Sequence, residues 1–280
     1  MATFLPKQQV AKRGMADNIG IGNEINGILR NSKTLLYAQG ELAQLTHTAF
    51  IQITEQIKGS DKEEITVDVP IGYRPDKVPM TSPHTYKKQE LLERYSFLTF
   101  TQIPINGIYQ LVIIIEATLG DLVRKVVARY PNKLSTKRQI STQKVLEANS
   151  IEELHVTAID SLLNDLSYKS PREFASELES ILSINVVECP AYHHYIEMKA
   201  TRDILIHNQG IANETYVAKA GSHARVPAGG RLPTTQSYFL EVYEECLRLV
   251  EWLESKLHDK WHSSEYEQEQ AAKASKKSKG

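Results

Sequence analysis

Apolar residues return every three or four positions over four long stretches of this chain, and each stretch reads as an amphipathic helix. From Ile21 to about Ile57 the series runs Ile25, Ile28, Leu29, Leu35, Leu36, Leu42, Leu45, Phe50, Ile53, Ile57. It predicts one long helix or a broken pair, with Asn31-Ser32 and Gly40 as the possible interruptions, because glycine costs about 1 kcal/mol against alanine inside a helix. Pro104-Ile105-Asn106 opens a second helix with a wide apolar stripe from Ile108 to Val127, ending at Tyr130-Pro131. A third runs from about Pro190 to Asn208 and stops near Gly210. The fourth starts at Thr235-Gln236 and carries Phe239, Val242, Cys246, Leu249, Leu253 and Leu257 on one face.

Between these lie different patterns. Glu64 to Val69 alternates with period two, and Pro70, Pro75, Pro79 and Pro83 follow, so one short strand or extended segment and a long surface excursion are expected near residues 60–85. After a polar link containing Lys133, Lys137 and Arg138, Val145 to Leu166 reads as short helical runs. Ser170-Pro171-Arg172-Glu173 is a helix start: serine caps, proline suits the first turn, and the glutamate reaches back. Ile211 to Thr235, with Lys219, His223, Arg225 and Arg231, reads as a long loop. The expected fold class is mainly α. Residues 1–20 are expected to form a flexible arm, 21–85 an N-terminal helix with the extended segment, 90–260 a helical bundle and 261–280 a disordered polar tail.

Composition narrows the function. A net charge of −1 argues against a protein that coats nucleic acid, which needs a standing excess of Lys and Arg, but leaves room for a local basic patch. No apolar run reaches membrane-spanning length, and the N-terminus lacks the apolar region of a secretory signal, so no membrane association and a cytoplasmic location are expected. Cys189 and Cys246 lie far apart, without metal-knuckle or disulfide-framework spacing. His193-His194 are neighbours on a helix, which do not face one site, so no metal is assigned. No Gly-rich phosphate loop, His-Glu-x-x-His or Gly-x-Ser-x-Gly occurs.

The candidate chemistry lies at the end of the third helix, in Arg202-Asp203-Ile204-Leu205-Ile206-His207-Asn208-Gln209-Gly210. The spacing of arginine and histidine occurs by chance in a chain of this length; its frame gives it weight. A polar residue follows the arginine, three large apolar residues come next, and the histidine stands where the helix leaves carbonyls unpaired and its dipole favours a cation. Glu197 and Lys199 suggest a polar face that Arg202 shares. Glu116, in the greasy second helix, is either solvated or paired within that helix, with Arg124 close by, or holds a functional arginine.

This run resembles the HEPN superfamily, whose signature is an arginine followed by a polar residue and, after four to six residues in all, a histidine. The resemblance covers about residues 90–260. It implies a four- or five-helix bundle that dimerises so that two Arg/His pairs share one cleft. It also implies a metal-independent endoribonuclease without cofactor, acting in defence, stress or toxin–antitoxin settings, with RNA as partner and room for a regulatory protein partner. In that reading His207 takes the proton of a ribose 2′-hydroxyl, Arg202 stabilises the phosphorane, Asp203 orients Arg202, and Asn208 holds the His207 ring or contacts phosphate. The product is a 2′,3′-cyclic phosphate. A non-catalytic HEPN-type module that binds nucleotide or protein is the alternative. Two residues five apart on an ideal helix point about 140° apart, so a shared site requires the helix to end or unwind near His207, or a second chain. Position 209 is glutamine, so the tyrosine modified in some toxins of this family is missing.

Overall fold

The structure, a computed structural model, describes residues 20–134 and 141–277. The expected arm before Gly20, the linker positions Lys137 and Arg138, and the last three residues of the expected tail lie outside the described residues.

Helix α1 (Ile21–Lys58) is continuous. Neither suspected interruption breaks it, because each serves a contact with another helix. Ser32 is buried and accepts from Thr118 Oγ1 at 2.8 Å, and a Cβ on Gly40 would come within 2.9 Å of the Tyr243 ring. The first half buries Ile21, Ile25, Leu29 and Leu36; the second leaves Leu42 and Leu45 more than half exposed.

Residues 60–85 hold two strands rather than one. β1 (Glu64–Tyr73) pairs antiparallel with β2 (Pro79–Lys87), in a register that sets Thr66 opposite Thr85 and joins their hydroxyls at 2.8 Å. The prolines concealed β2 in the sequence. In a two-stranded ribbon every strand is an edge, so proline costs no ladder bond on the outer side.

α2 (Lys88–Phe97) continues through a π-helical turn at Leu98–Gln102 into α3 (Ile103–Arg129). α3 is the central element, with its apolar residues from Ile108 to Val127 mostly inaccessible to solvent. α4 (Thr142–Glu147), α5 (Ile151–Tyr168) and α6 (Pro171–Leu182) follow. Ser170 and Glu173 form the expected capping box at the start of α6, and these bonds hold the Glu173 carboxyl below its ordinary pKa. Next come α7 (Pro190–His207), α8 (Glu214–Ala220) and α9 (Gln236–Lys260), with Thr235 capping the last. The span 211–235 is therefore not all loop: Asn213 caps α8 by accepting from Tyr216 N at 2.9 Å.

The first half of α1 shares one core with α3, α5, α6, α7 and α9, so the N-terminal helix belongs to the bundle rather than to a separate part. The polar tail also departs from expectation. Ser264–Lys277 form α10, started by Ser263 Oγ accepting from Tyr266 N and laid along α1. Asn23 Oδ1 accepts from Ser263 Oγ at 2.9 Å, and Arg30 reaches Glu265 and Glu269 at 3.6 and 3.2 Å. The chain turns so tightly against α1 that a Cβ on Gly22 would fall 2.0 Å from the His262 carbonyl oxygen. Among the described residues no helix is long and apolar enough to cross a membrane.

Candidate functional site

α7 places the site. Its N-terminal part is fixed by burying Tyr192, Tyr195 and Met198, and it continues without a break to His207. There the chain stops as a helix end should. Asn208 N and Gly210 N both donate to the Ile204 carbonyl, Gln209 takes a left-handed φ of 51° and Gly210 one of 78°. The expected glycine stop is present, with glutamine sharing the left-handed turn.

Arg202 faces the neighbouring α3. Its Nη2 donates to Glu116 Oε1 at 3.0 Å, across 86 residues of sequence, and its side chain is 18% exposed. Glu116 is thus paired between helices, with the arginine of the motif, and Arg124 instead pairs with Asp160 of α5 at 2.8 Å. Asp203 Oδ1 stands 3.0 Å from Arg202 Nε, close enough for ion pairing, but without the alignment of a hydrogen bond, and this buried Nε has no hydrogen-bond partner. The same Glu116 oxygen takes Lys199 Nζ at 2.8 Å, and Lys219 reaches Asp203 at 3.4 Å. Three cations, Lys199, Arg202 and Lys219, therefore share two carboxylates, an excess of one positive charge.

This cluster lines a cleft of about 760 Å³ between α3, α7 and the α5–α6 junction, to which Lys169 and Ser170 also contribute. Tyr195 lies in its wall, 1% exposed, with a hydroxyl that no described residue partners. Burial, with the Glu116 charge beside it, pushes its phenol well above the ordinary tyrosine range, so the group is a neutral donor. A half-buried guanidinium and an ammonium at one wall can hold an anionic oxygen.

His207 is elsewhere. It is exposed, absent from the cleft lining, and has no side-chain partner among the described residues. The helix neither ends nor unwinds before it, so the single chain does not bring Arg202 and His207 together. Nor does Asn208 hold the imidazole: its Nδ2 donates to the Ile211 carbonyl, closing the turn after α7. The amide is drawn to that carbonyl because the helix end has left it in reach.

Glu197 fixes the segment after α7. Glu197 does not share the Arg202 face. It is 5% exposed and accepts through Oε1 from Thr201 Oγ1 at 2.6 Å, Tyr216 Oη at 2.8 Å and Arg225 Nε at 3.0 Å, and through Oε2 from Tyr238 Oη at 2.8 Å. The Arg225 guanidinium lies 3.4 Å from the centre of the Tyr238 ring and donates to the Pro233 carbonyl at 2.6 Å. This is a saturated buried charge, which ties α8 and residues 221–235 to α7. Its signal was available: Glu197 falls among the apolar positions of α7, where a carboxylate demands a buried cation.

Metal-ligand geometry is met in one place among the described residues, where donor atoms of His258, His262 and Glu267 lie within 4.8 Å of one another. His258 Nδ1 accepts from Ser263 N at 3.1 Å, which leaves the proton of a neutral ring on Nε2 and neither nitrogen with a free lone pair. The trio serves as the joint between α9 and α10. His223 meets both His193 and His194, with ring centres 5.9 and 4.7 Å away, so the adjacent pair does converge on a third histidine, while His193 Nε2 is engaged by the Val187 carbonyl at 3.2 Å.

No protein-family model, curated protein or solved structure matches this chain.

Proposed function

We propose that this protein is a metal-independent endoribonuclease of the HEPN type, whose active site is completed by two chains. The observation that carries the reading is the half-buried Arg202, braced by Glu116 and Asp203 at the wall of a cleft with excess positive charge, with His207 exposed at the end of the same helix. Arg202 stabilises the charge that develops on the phosphorane, and Lys199 and Lys219 attract the backbone of the RNA. His207 of a second copy removes the proton from the ribose 2′-hydroxyl, which attacks the adjacent phosphorus and leaves a 2′,3′-cyclic phosphate, while the expelled 5′-oxygen takes a proton from water and departs as a hydroxyl. Ile206, 51% exposed beside His207, gives the helix end apolar surface for a homodimer contact. The setting is cytoplasmic, in defence, stress or toxin–antitoxin biology, with a regulatory protein as a further partner.

A second reading, a non-catalytic HEPN-type module that binds nucleotide or protein, is favoured by the separation of His207 from the cleft within one chain. Incubation with transfer RNA in EDTA, followed by assay for cyclic-phosphate ends, separates the two. Cleavage that Arg202→Ala and His207→Ala each abolish supports the ribonuclease. Untouched RNA with a dimeric protein supports the module.

A further inference from the structure

A second pocket lies on the other side of α3, walled by the middle of α1, the π-helical turn, the start of α3 and the start of α9, with a volume of about 220 Å³. Charged residues make up 24% of the chain, yet no Asp, Glu, Lys or Arg lines this pocket, so its occupant carries no net charge. Its polar equipment consists of four side-chain amides, the hydroxyls of Thr46 and Thr99, and the His47 imidazole. Gln39, Gln110 and Gln236 make no side-chain hydrogen bond to another described residue, and Asn106 accepts from Gln102 at 3.3 Å through Oδ1 only, leaving its NH₂ free. Phe239 supplies an aromatic wall, and Thr99 comes from the π turn, a rare geometry found mostly at functional sites.

These features select a chemistry. A dry cavity of about 150 Å³ accepts benzene, so 220 Å³ has space for a flat bicyclic ring. Side-chain amides read the edge of a purine by donating and accepting in one plane. We propose that this pocket binds a neutral purine-type heterocycle, its ring against Phe239 and its edge on the amides of α3 and α9. The site is separate from Arg202 and stands whether or not the chain cuts RNA.

Calorimetric titration of the full chain with adenine tests it, with indole as a ring of similar size that lacks the purine acceptors. Adenine is expected to bind one to one and at least tenfold more tightly than indole. Ala43→Phe, which fills the pocket, and Gln110→Leu, which removes an amide of α3, are each expected to weaken adenine at least tenfold with the melting temperature retained, and Arg202→Ala to leave it unchanged. Absence of saturable adenine binding at millimolar concentration, equal affinity for indole, or adenine binding unaltered in a folded Gln110→Leu variant would overturn the proposal.

Discussion

Arg202 and His207 stand on one unbroken helix, five residues and about 140° apart, the arginine braced in a cleft and the histidine in solvent. If they act together, the histidine comes from a second chain. A mixture of the two inactive variants then distinguishes the arrangements. In a two-fold dimer, Arg202→Ala paired with His207→Ala rebuilds one of two sites, so random mixing restores roughly a quarter of the cleavage. A site within one chain gives none, because neither variant chain carries both groups.

Glu116 holds two cations with one oxygen, so its removal leaves both in a partly desolvated wall. Glu116→Gln is expected to destabilise the fold by about 1–2 kcal/mol, since the pairs are neither fully exposed nor fully buried. RNA cleavage should fall more than stability does. Urea unfolding and initial cleavage rates measured on the same preparation check both.

Glu197→Ala strands the Arg225 guanidinium and three hydroxyls. The expected loss is about 3–5 kcal/mol, the scale for breaking a buried pair by removing one partner. Arg225→Ala leaves Glu197 with its hydroxyl donors, so it should cost less. Thermal denaturation of the two variants ranks them, and an equal or reversed order would contradict the assignment of Glu197 as the centre of the network.

The buried phenols predict an alkaline limit. Burial first, and then the Glu197 charge, raise Tyr238 well above its ordinary value of 10.0, and burial also raises Tyr216 and Tyr195. These groups keep their protons in the folded chain after the unfolded chain has lost them. Stability is therefore fully present below pH 10 and falls as pH rises above it toward the folded values. Circular dichroism melts across that range should show a steady decline, and Tyr238→Phe should flatten it.

Gly22 lies under the turn between α9 and α10, where a methyl group would overlap the His262 carbonyl. Gly22→Ala is expected to cost about 1–3 kcal/mol by forcing that turn away from α1. Hydrogen exchange should then accelerate in α10 while α3 stays protected.

The sequence by itself determined the mainly helical class and the span of each long helix, because a buried stripe repeats with the helix period whatever it packs against. It also specified the α6 capping box and the stop after His207, which depend on residues within one turn of each other. Tertiary structure alone decided the rest. Ser32 and Gly40 looked like helix breaks and are contacts to other helices; β2 was concealed by prolines that are harmless on an edge; α10 lacks an apolar stripe of its own and is held by α1. The site divides in the same way. The motif marked Arg202, yet its partner Glu116, the convergence of Lys199, Lys219 and Tyr195 on one cleft, and the burial of Glu197 against Arg225 depend on side chains far apart along the chain. Periodicity reports the environment of a residue and not the identity of the group that meets it.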